Sequence, residues 1–207
     1  MLEGIIGRKL GMTQVFKDNG EIEGVTAIEA GPCVVTQVKT VAKEGYNAVQ
    51  LGFSEAKKLN SAEQGHLKQL GKFRYLREFR LDNVDDIKVG DKIDASLFKA
   101  GDLVDVIGIA KGKGFAGVVK RHHFSGGPKT HGQTDRERHP GAIGSTTFPG
   151  RVWKGLRMAG RMGGGQVTVR HLEIFKADPE RNLLLVKGAV VGNKSGLVMI
   201  RKSAKRK

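Results

Sequence analysis

Residues 111–170 read KGKGFAGVVKRHHFSGGPKTHGQTDRERHPGAIGSTTFPGRVWKGLRMAGRMGGGQVTVR, and the rest of the chain is organised around them. Across these 60 residues 12 Lys and Arg face 2 acids, among 14 Gly, 3 Pro and 4 His. Apolar residues between Phe124 and Val152 are sparse and follow neither a helical nor a strand period. Such a segment buries too little apolar surface to offset the entropy of ordering it, so it is not expected to fold alone. It is not a plain linker either. Gly126-Gly127-Pro128, His139-Pro140-Gly141 and Phe148-Pro149-Gly150 set local bends, with Trp153 and two phenylalanines spaced between the bends. The reading is a long arm that becomes ordered against a polyanion.

Outward from the arm, charge separates sharply. The 207-residue chain carries a formal net charge of +15. Residues 111–170 hold +10 of it and the tail Arg201–Lys207, which has no acid, holds +5. The remainder is neutral, with 19 bases against 19 acids. A charge-balanced globular body with two basic appendages is the pattern of a nucleic-acid footprint. The length allows one good core and a small second lobe. The single cysteine, Cys33 in Pro-Cys-Val-Val-Thr, excludes an internal disulfide and reads as a small buried strand residue. No apolar run approaches the ~20 residues that span a bilayer. The start, MLEGIIGRKLGMTQVF, lacks a signal h-region and reads as structure at once, so a cytoplasmic location is expected.

Along the body, short β segments alternate with Gly-rich turns. Leu2–Ile6 is β-compatible, Gly7–Met12 reads as a basic turn, Thr13–Lys17 as a strand, and Asp18-Asn19-Gly20 as a hairpin signal. Ile22–Ala30, Cys33–Thr40 and Tyr46–Gly52 follow as strands, with Gly31-Pro32 as punctuation. Asn60 or Ser61 is expected to cap a helix running to about Leu70 and ended by Gly71. Lys72–Leu81 alternates basic and apolar residues and reads as a strand rather than one more helical turn. It is either a half-exposed element or an RNA-facing strand bearing Arg74, Arg77 and Arg80. The segments from Val89 to Phe98 and from Asp102 to Ile109 look like barrel strands. After the arm, Val167–Phe175, Leu183–Val186 and Gly188–Val191 are expected to close the barrel, with Leu197–Arg201 as a last edge strand. The fold class is mainly β, a small barrel built from both sides of an inserted arm, with a small α+β lobe.

Chemical motifs within the arm favour binding over catalysis. Gly112-Lys-Gly-Phe-Ala-Gly117 fits G-x-G-x-x-G, with Asp135 and Glu137 at a suitable distance for a ribose. A dinucleotide site needs a helix opening at those glycines, and Val118–Phe124 runs too soon into Gly-Gly-Pro. Glycines beside lysines instead let main chain approach phosphates closely. His122, His123, His131 and His139 have no cysteine or acidic cluster to complete a metal site, so no metal and no cofactor is expected. Histidines among arginines stack on bases or hydrogen-bond phosphates. No nucleophile or carboxylate pair stands in a catalytic setting, so an RNA- or nucleotide-using enzyme is the weaker of the two function classes. Trp153, beside Arg151, Lys154 and Arg157, reads equally as a stacking platform for RNA and as an anchor for the base of the arm.

Four stretches carry a resemblance. GRKLGMTQVF, KGKGFAGVVKRHHFSGGPKTHG, HPGAIGSTTFPGRVWKGLRMAGRMGGGQVTVR and ERNLLLVKGAVVG closely resemble the universal large-subunit ribosomal protein L-three family, bacterial type, essentially end to end. The resemblance implies a six-stranded translation-factor-like β-barrel with a long extended basic finger inserted. It implies direct, early binding of large-subunit rRNA, with the finger threading toward the peptidyl-transferase centre. On this chain the barrel core would be 1–59, 86–119 and 162–207, the lobe 60–85 and the finger 120–161. The finger tip would be Ile143, Gly144, Ser145, Thr146, Thr147, Phe148, Pro149 and Gly150. Thr147 stands where many bacterial members carry a glutamine that can be methylated, so that modification does not carry over. The residues assigned to rRNA begin with Arg8 and Lys9. Lys111, Lys113, Lys120, Arg121, His122 and His123 lie at the entry to the arm, followed by Lys129, His131, Arg136, Arg138 and His139. Arg151, Trp153, Lys154, Arg157, Arg161 and Arg170 lie on the return. The expected partners are large-subunit ribosomal RNA and neighbouring large-subunit proteins, with no membrane and no small-molecule substrate.

Overall fold

The computed structural model describes residues 3–17, 19–68 and 70–203. Leu2 of the first expected strand, Asp18 of the expected hairpin turn and residues 204–207 of the basic tail lie outside the described residues. Residues up to Ala110, together with those from Gln166 onward, form one compact unit, and Lys111–Gly165 form a second.

In chain order the first unit begins with β1 (Gly4–Phe16), β2 (Ile22–Ala30), β3 (Cys33–Lys39), α1 (Val41–Glu44) and β4 (Ala48–Glu55). It continues with α2 (Ser61–Leu67), β5 (Phe73–Arg80), β6 (Lys92–Ile93) and β7 (Leu103–Ile109). The second unit contains β8 (Phe115–Ala116), α3 (Val118–His122) and β9 (Gly160–Arg161). The chain then returns to the first unit with β10 (Gln166–Asp178), β11 (Leu183–Lys187) and β12 (Leu197–Lys202).

Six strands of the first unit pair antiparallel in the order β1-β12-β7-β10-β11-β2 and return to β1, which makes a closed barrel. Closure leaves none of the six with an unpaired edge. The interior follows the two-residue period of strands. Val104 and Val106, Leu184 and Val186, and Val198 and Ile200 are all buried, as are Ile28, Ala30 and Ile174. The remaining strands form a separate sheet in the order β5-β4-β3-β6, covering Val35, Val49, Leu51, Phe53 and Phe79. Both sets of buried residues belong to one contiguous cluster.

Several expectations hold locally. Lys72–Leu81 holds the strand Phe73–Arg80, and Asn60 opens a helix, its N–H donating to Glu63 Oε2 at 2.9 Å. That helix ends at Leu67, with Lys68 in a positive-φ cap, rather than running to Leu70. Other expectations are corrected. Gly7–Met12 is not a turn but the middle of the 13-residue β1, with a register shift between Lys9 and Gly11. A Cβ on Gly7 would stand 2.7 Å from the Glu29 carbonyl oxygen, so this glycine marks a close strand approach. Cys33–Thr40, Tyr46–Gly52 and Val89–Phe98 are not barrel strands, because β3, β4 and β6 pair in the second sheet. Gly188–Val191 is not a strand. Its Val191 instead fills the space that a Cβ on Gly108 would need. Leu197–Arg201 is not an edge, since β12 lies between β1 and β7.

Candidate nucleic-acid interface

The second unit has almost no core. Between Lys111 and Gly165 only Ala116 and Val118 are buried, as the scarcity of apolar residues requires. Main chain and glycine hold it together. Lys113 N–H donates to Met162 O and Met162 N–H to Gly114 O, each at 2.9 Å, and β8 pairs with β9 just beyond. A Cβ on Gly163 would stand 2.1 Å from the Lys111 carbonyl oxygen, so this base admits only glycine there. The five-residue α3 ends at His123, which adopts φ 61 and donates its N–H to Val119 O. The Arg121 guanidinium donates to Met158 O at 2.8 Å, and His122 Nε2 lies 3.2 Å from the same oxygen. Further out, the chain crosses itself where Gly127 N–H donates to Glu137 O at 2.9 Å. Beyond that crossing, Ile143–Phe148 and Gly150 are exposed, and a Cβ on Gly144 would lie 4.0 Å from Arg151 O.

Electrostatically the unit is almost undiluted. Eleven Lys and Arg face only Asp135 and Glu137, and Glu137 pairs with Lys129 at 3.5 Å. Among the described residues, the side chains of Lys111, Lys113, Lys120, Arg136, Arg138, Lys154, Arg157 and Arg161 make no hydrogen bond or ion pair and are exposed. His131 and His139 are exposed in the same region. Apolar groups are interleaved with these cations and left uncovered. Phe115 is 82% exposed, Phe148 81% and Trp153 54%. The Arg151 guanidinium lies 5.6 Å from the Trp153 ring centroid, so the two form one cationic, aromatic surface. Exposed apolar groups among unpaired cations suit a partner that presents both anions and flat apolar faces.

The three remaining assigned residues lie in the first unit and differ in character. Arg8 is paired with Glu29 at 2.6 Å. Lys9 is half-buried, its Nζ 2.6 Å from Val190 O and 3.4 Å from Gly192 O, so it braces the segment after β11. Arg170 is exposed on β10. On β5, Arg74 lies over Tyr75 at 5.2 Å, Arg80 lies over Tyr46 at 5.3 Å, and Arg77 donates to Leu76 O. Beside Arg80, Glu78 takes Lys39 at 2.6 Å and the Tyr46 hydroxyl at 2.8 Å. Its hydrogen bond to Glu78 holds the Lys39 ammonium above its ordinary pKa. Sequence reasoning gave Phe115, Leu156 and Met158 no role, although all three are exposed in the cationic unit. The signal for Phe115 was available, since it stands alone within Lys-Gly-Lys-Gly-Phe.

Comparison with known proteins bears on this interface. The family profile described as Ribosomal protein L3 matches residues 68–182. The chain is 54% identical over 205 residues to the large ribosomal subunit protein uL3 of Dehalococcoides mccartyi, covering 99% of this chain and 100% of that protein. It is 57% identical over 208 residues to the uL3 protein of Herpetosiphon aurantiacus, covering 99% and 98%. With the uL3 protein of a Roseiflexus species the identity is 58% over 208 residues, covering 99% of each.

Proposed function

The chain belongs to the ribosomal protein L3 family, and from that premise we propose that it is a non-catalytic structural constituent of the large ribosomal subunit that binds large-subunit rRNA directly. Residues 120–161 act as a finger threaded between rRNA helices, and Ile143–Gly150 is its tip, near the peptidyl-transferase centre. The six-stranded barrel is of the translation-factor kind and stays toward the subunit surface. The working location is the cytoplasmic ribosome, with rRNA and neighbouring large-subunit proteins as partners and a role early in assembly. One observation carries this reading. The unpaired cations and three of the most exposed aromatic residues occur together in a unit that has almost no core of its own.

Mechanistically, the lysines and arginines neutralise phosphates where rRNA helices crowd and release counterions as they bind. Glycines at the self-crossings let main chain lie against ribose and phosphate. Contacts of this kind read shape more than base sequence. The tip differs, because Ser145, Thr146, Thr147 and Phe148 are uncharged although Arg138 and Arg151 flank the segment that holds them. Small hydroxyl residues there suit packing against bases and ribose hydroxyls, so assembly and activity should separate.

The test is to purify subunits carrying single variants and compare protein occupancy with peptidyl-transfer rate. Arg151→Ala, Lys154→Ala or Arg157→Ala should lower occupancy. Thr146→Trp or Thr147→Trp should leave occupancy intact while changing peptide-bond formation or ligand binding at the A site. Tip variants with wild-type occupancy, transfer and ligand binding would make the tip a passive turn. Alanine variants with full occupancy would remove the charge footprint from the reading.

A further inference from the structure

Residues 124–127, Arg136 and residues 139–141 of the second unit line a cleft of about 370 Å³. The two segments meet through main chain. Gly127 N–H donates to Glu137 O at 2.9 Å. A Cβ on Gly126 would stand 2.2 Å from that same oxygen, and one on Gly127 2.9 Å from Arg136 O. Gly126 also has φ +74. Both glycines are therefore needed for the crossing, and the cleft is shaped by backbone rather than by movable side chains.

Phe124, Pro140, Arg136 and His139 stand around it. Phe124 is half-buried, its ring 6.2 Å from that of His122 at 44°. Among the described residues, the Arg136 guanidinium and the His139 imidazole are exposed and have no hydrogen-bond or ion-pair partner. The adjacent Glu137 carboxylate is engaged by Lys129 at 3.5 Å, so Arg136 keeps its charge unneutralised. A phosphate would use only the two basic groups, and an aliphatic side chain only Phe124 and Pro140. A nucleobase uses both, through its π face and through the acceptors on its edge. The volume is at the low end for small-ligand sites, which favours one nucleotide over a stacked run. Within a duplex both faces of a base are covered by its neighbours.

We propose that this cleft holds a single unstacked nucleobase of single-stranded RNA, between Phe124 and Pro140 and with its edge toward Arg136 and His139. The proposal rests on the RNA-binding reading above and adds a base-specific subsite to it. The test uses the full-length protein and two eight-residue RNA probes of equal charge, oligo(A) and an oligomer abasic at every position. Affinity is measured by fluorescence anisotropy over a salt series. Oligo(A) should bind at least about fivefold more tightly than the abasic probe, as base stacking on one aromatic side chain requires. Phe124→Leu keeps the apolar bulk but removes the π face. It should reduce that preference severalfold while leaving the salt slope unchanged. Arg136→Ala should weaken both probes and flatten the slope. Ultraviolet crosslinks from oligo(A) should fall within residues 124–141. Equal affinity for the two probes would show phosphate binding alone and overturn the subsite. So would a preference that Phe124→Leu leaves undiminished, or crosslinks confined to other residues. Failure of both probes to bind at low salt would overturn the RNA-binding reading as well, which separates the two failures.

Discussion

Asp105→Ala should destabilise the first unit by about 2 kcal/mol, the sum of one stranded donor and one weak ion pair. The Asp105 side chain is 7% exposed. It accepts the His171 N–H at 3.1 Å and Arg201 Nη2 at 3.2 Å. His171 lies in the register shift between Val169 and Leu172 of β10 and has φ 55, so the Asp105 carboxylate, rather than a facing strand, takes its N–H. Truncation strands that donor at about 1–3 kcal/mol. The Arg201 side chain is 51% exposed and regains water, so its share is only about 0–1 kcal/mol. For a protein of this size the total corresponds to a Tm decrease of roughly 4–8 °C. Asp105→Asn keeps an acceptor and should lose about half as much. Burial pushes the Asp105 pKa up, but the donors around the carboxylate, the His171 N–H first among them, outweigh it, and the net shift is downward. A depressed folded-state pKa means that the stabilisation is present above the unfolded value, near 3.9. It is lost as pH falls through the lower folded value. The Asn variant should lack that loss. Urea titrations and thermal melts followed by circular dichroism at pH 7 and in acid would measure all three proteins. A change below about 0.5 kcal/mol for Asp105→Ala, the level of an ordinary surface substitution, would show that barrel closure holds the bulge without the carboxylate.

Three further outcomes follow from the second unit and the tail. Affinity for an rRNA fragment should fall steeply with salt, each phosphate contact adding roughly 0.9 to the log–log slope on duplex. Deleting Lys120–Arg161 should flatten the slope more than deleting residues 204–207, which leaves β12 whole, and equal slopes for all three proteins would refute the charge footprint. Gly163→Ala, which places a Cβ 2.1 Å from Lys111 O at φ +71, carries about 1–2 kcal/mol of left-handed strain before the clash is counted. It should abolish hydrogen-exchange protection of the Lys113 and Met162 amides, and unchanged protection would refute it. Between Phe124 and Arg151, only the N–H groups of Gly127 and His139 donate to backbone among the described residues. Amides there other than those two should exchange near the unprotected rate without RNA, and strong protection throughout would contradict this.

The parts legible in the sequence are those set by neighbours within a few residues or by summed charge. The alternation in Lys72–Leu81 made β5, and Asn60 with Glu63 opened α2. The excess of Lys and Arg over acid marked residues 111–170 before any fold was considered, because net charge needs no geometry. The cations of the arm were therefore nameable one by one. The availability of each was not, since it depends on what lies opposite. Arg8 faces Glu29 and Lys9 reaches Val190 O across 181 positions, while Arg136 and Arg157 find no partner among the described residues.

Strand partnership was decided by tertiary structure alone. β2 and β3 are separated only by Gly31 and Pro32, yet β2 pairs with β1 and β11 in the barrel and β3 with β4 and β6 in the other sheet. Local propensity makes both of them strands and is silent on the partner, because pairing energy comes from residues far along the chain. Glycine shows the same division. Gly7, Gly126 and Gly163 read equally well as turns, and only the carbonyl oxygens brought against them, from Glu29, Glu137 and Lys111, show that each marks a close backbone approach. Sequence alone thus determined some of the stretches that extend, Lys72–Leu81 among them, and which segment carries the charge and buries almost no core. The closed barrel, the separate sheet and the cleft at Gly126–Gly127 came from long-range contacts that no local pattern encodes.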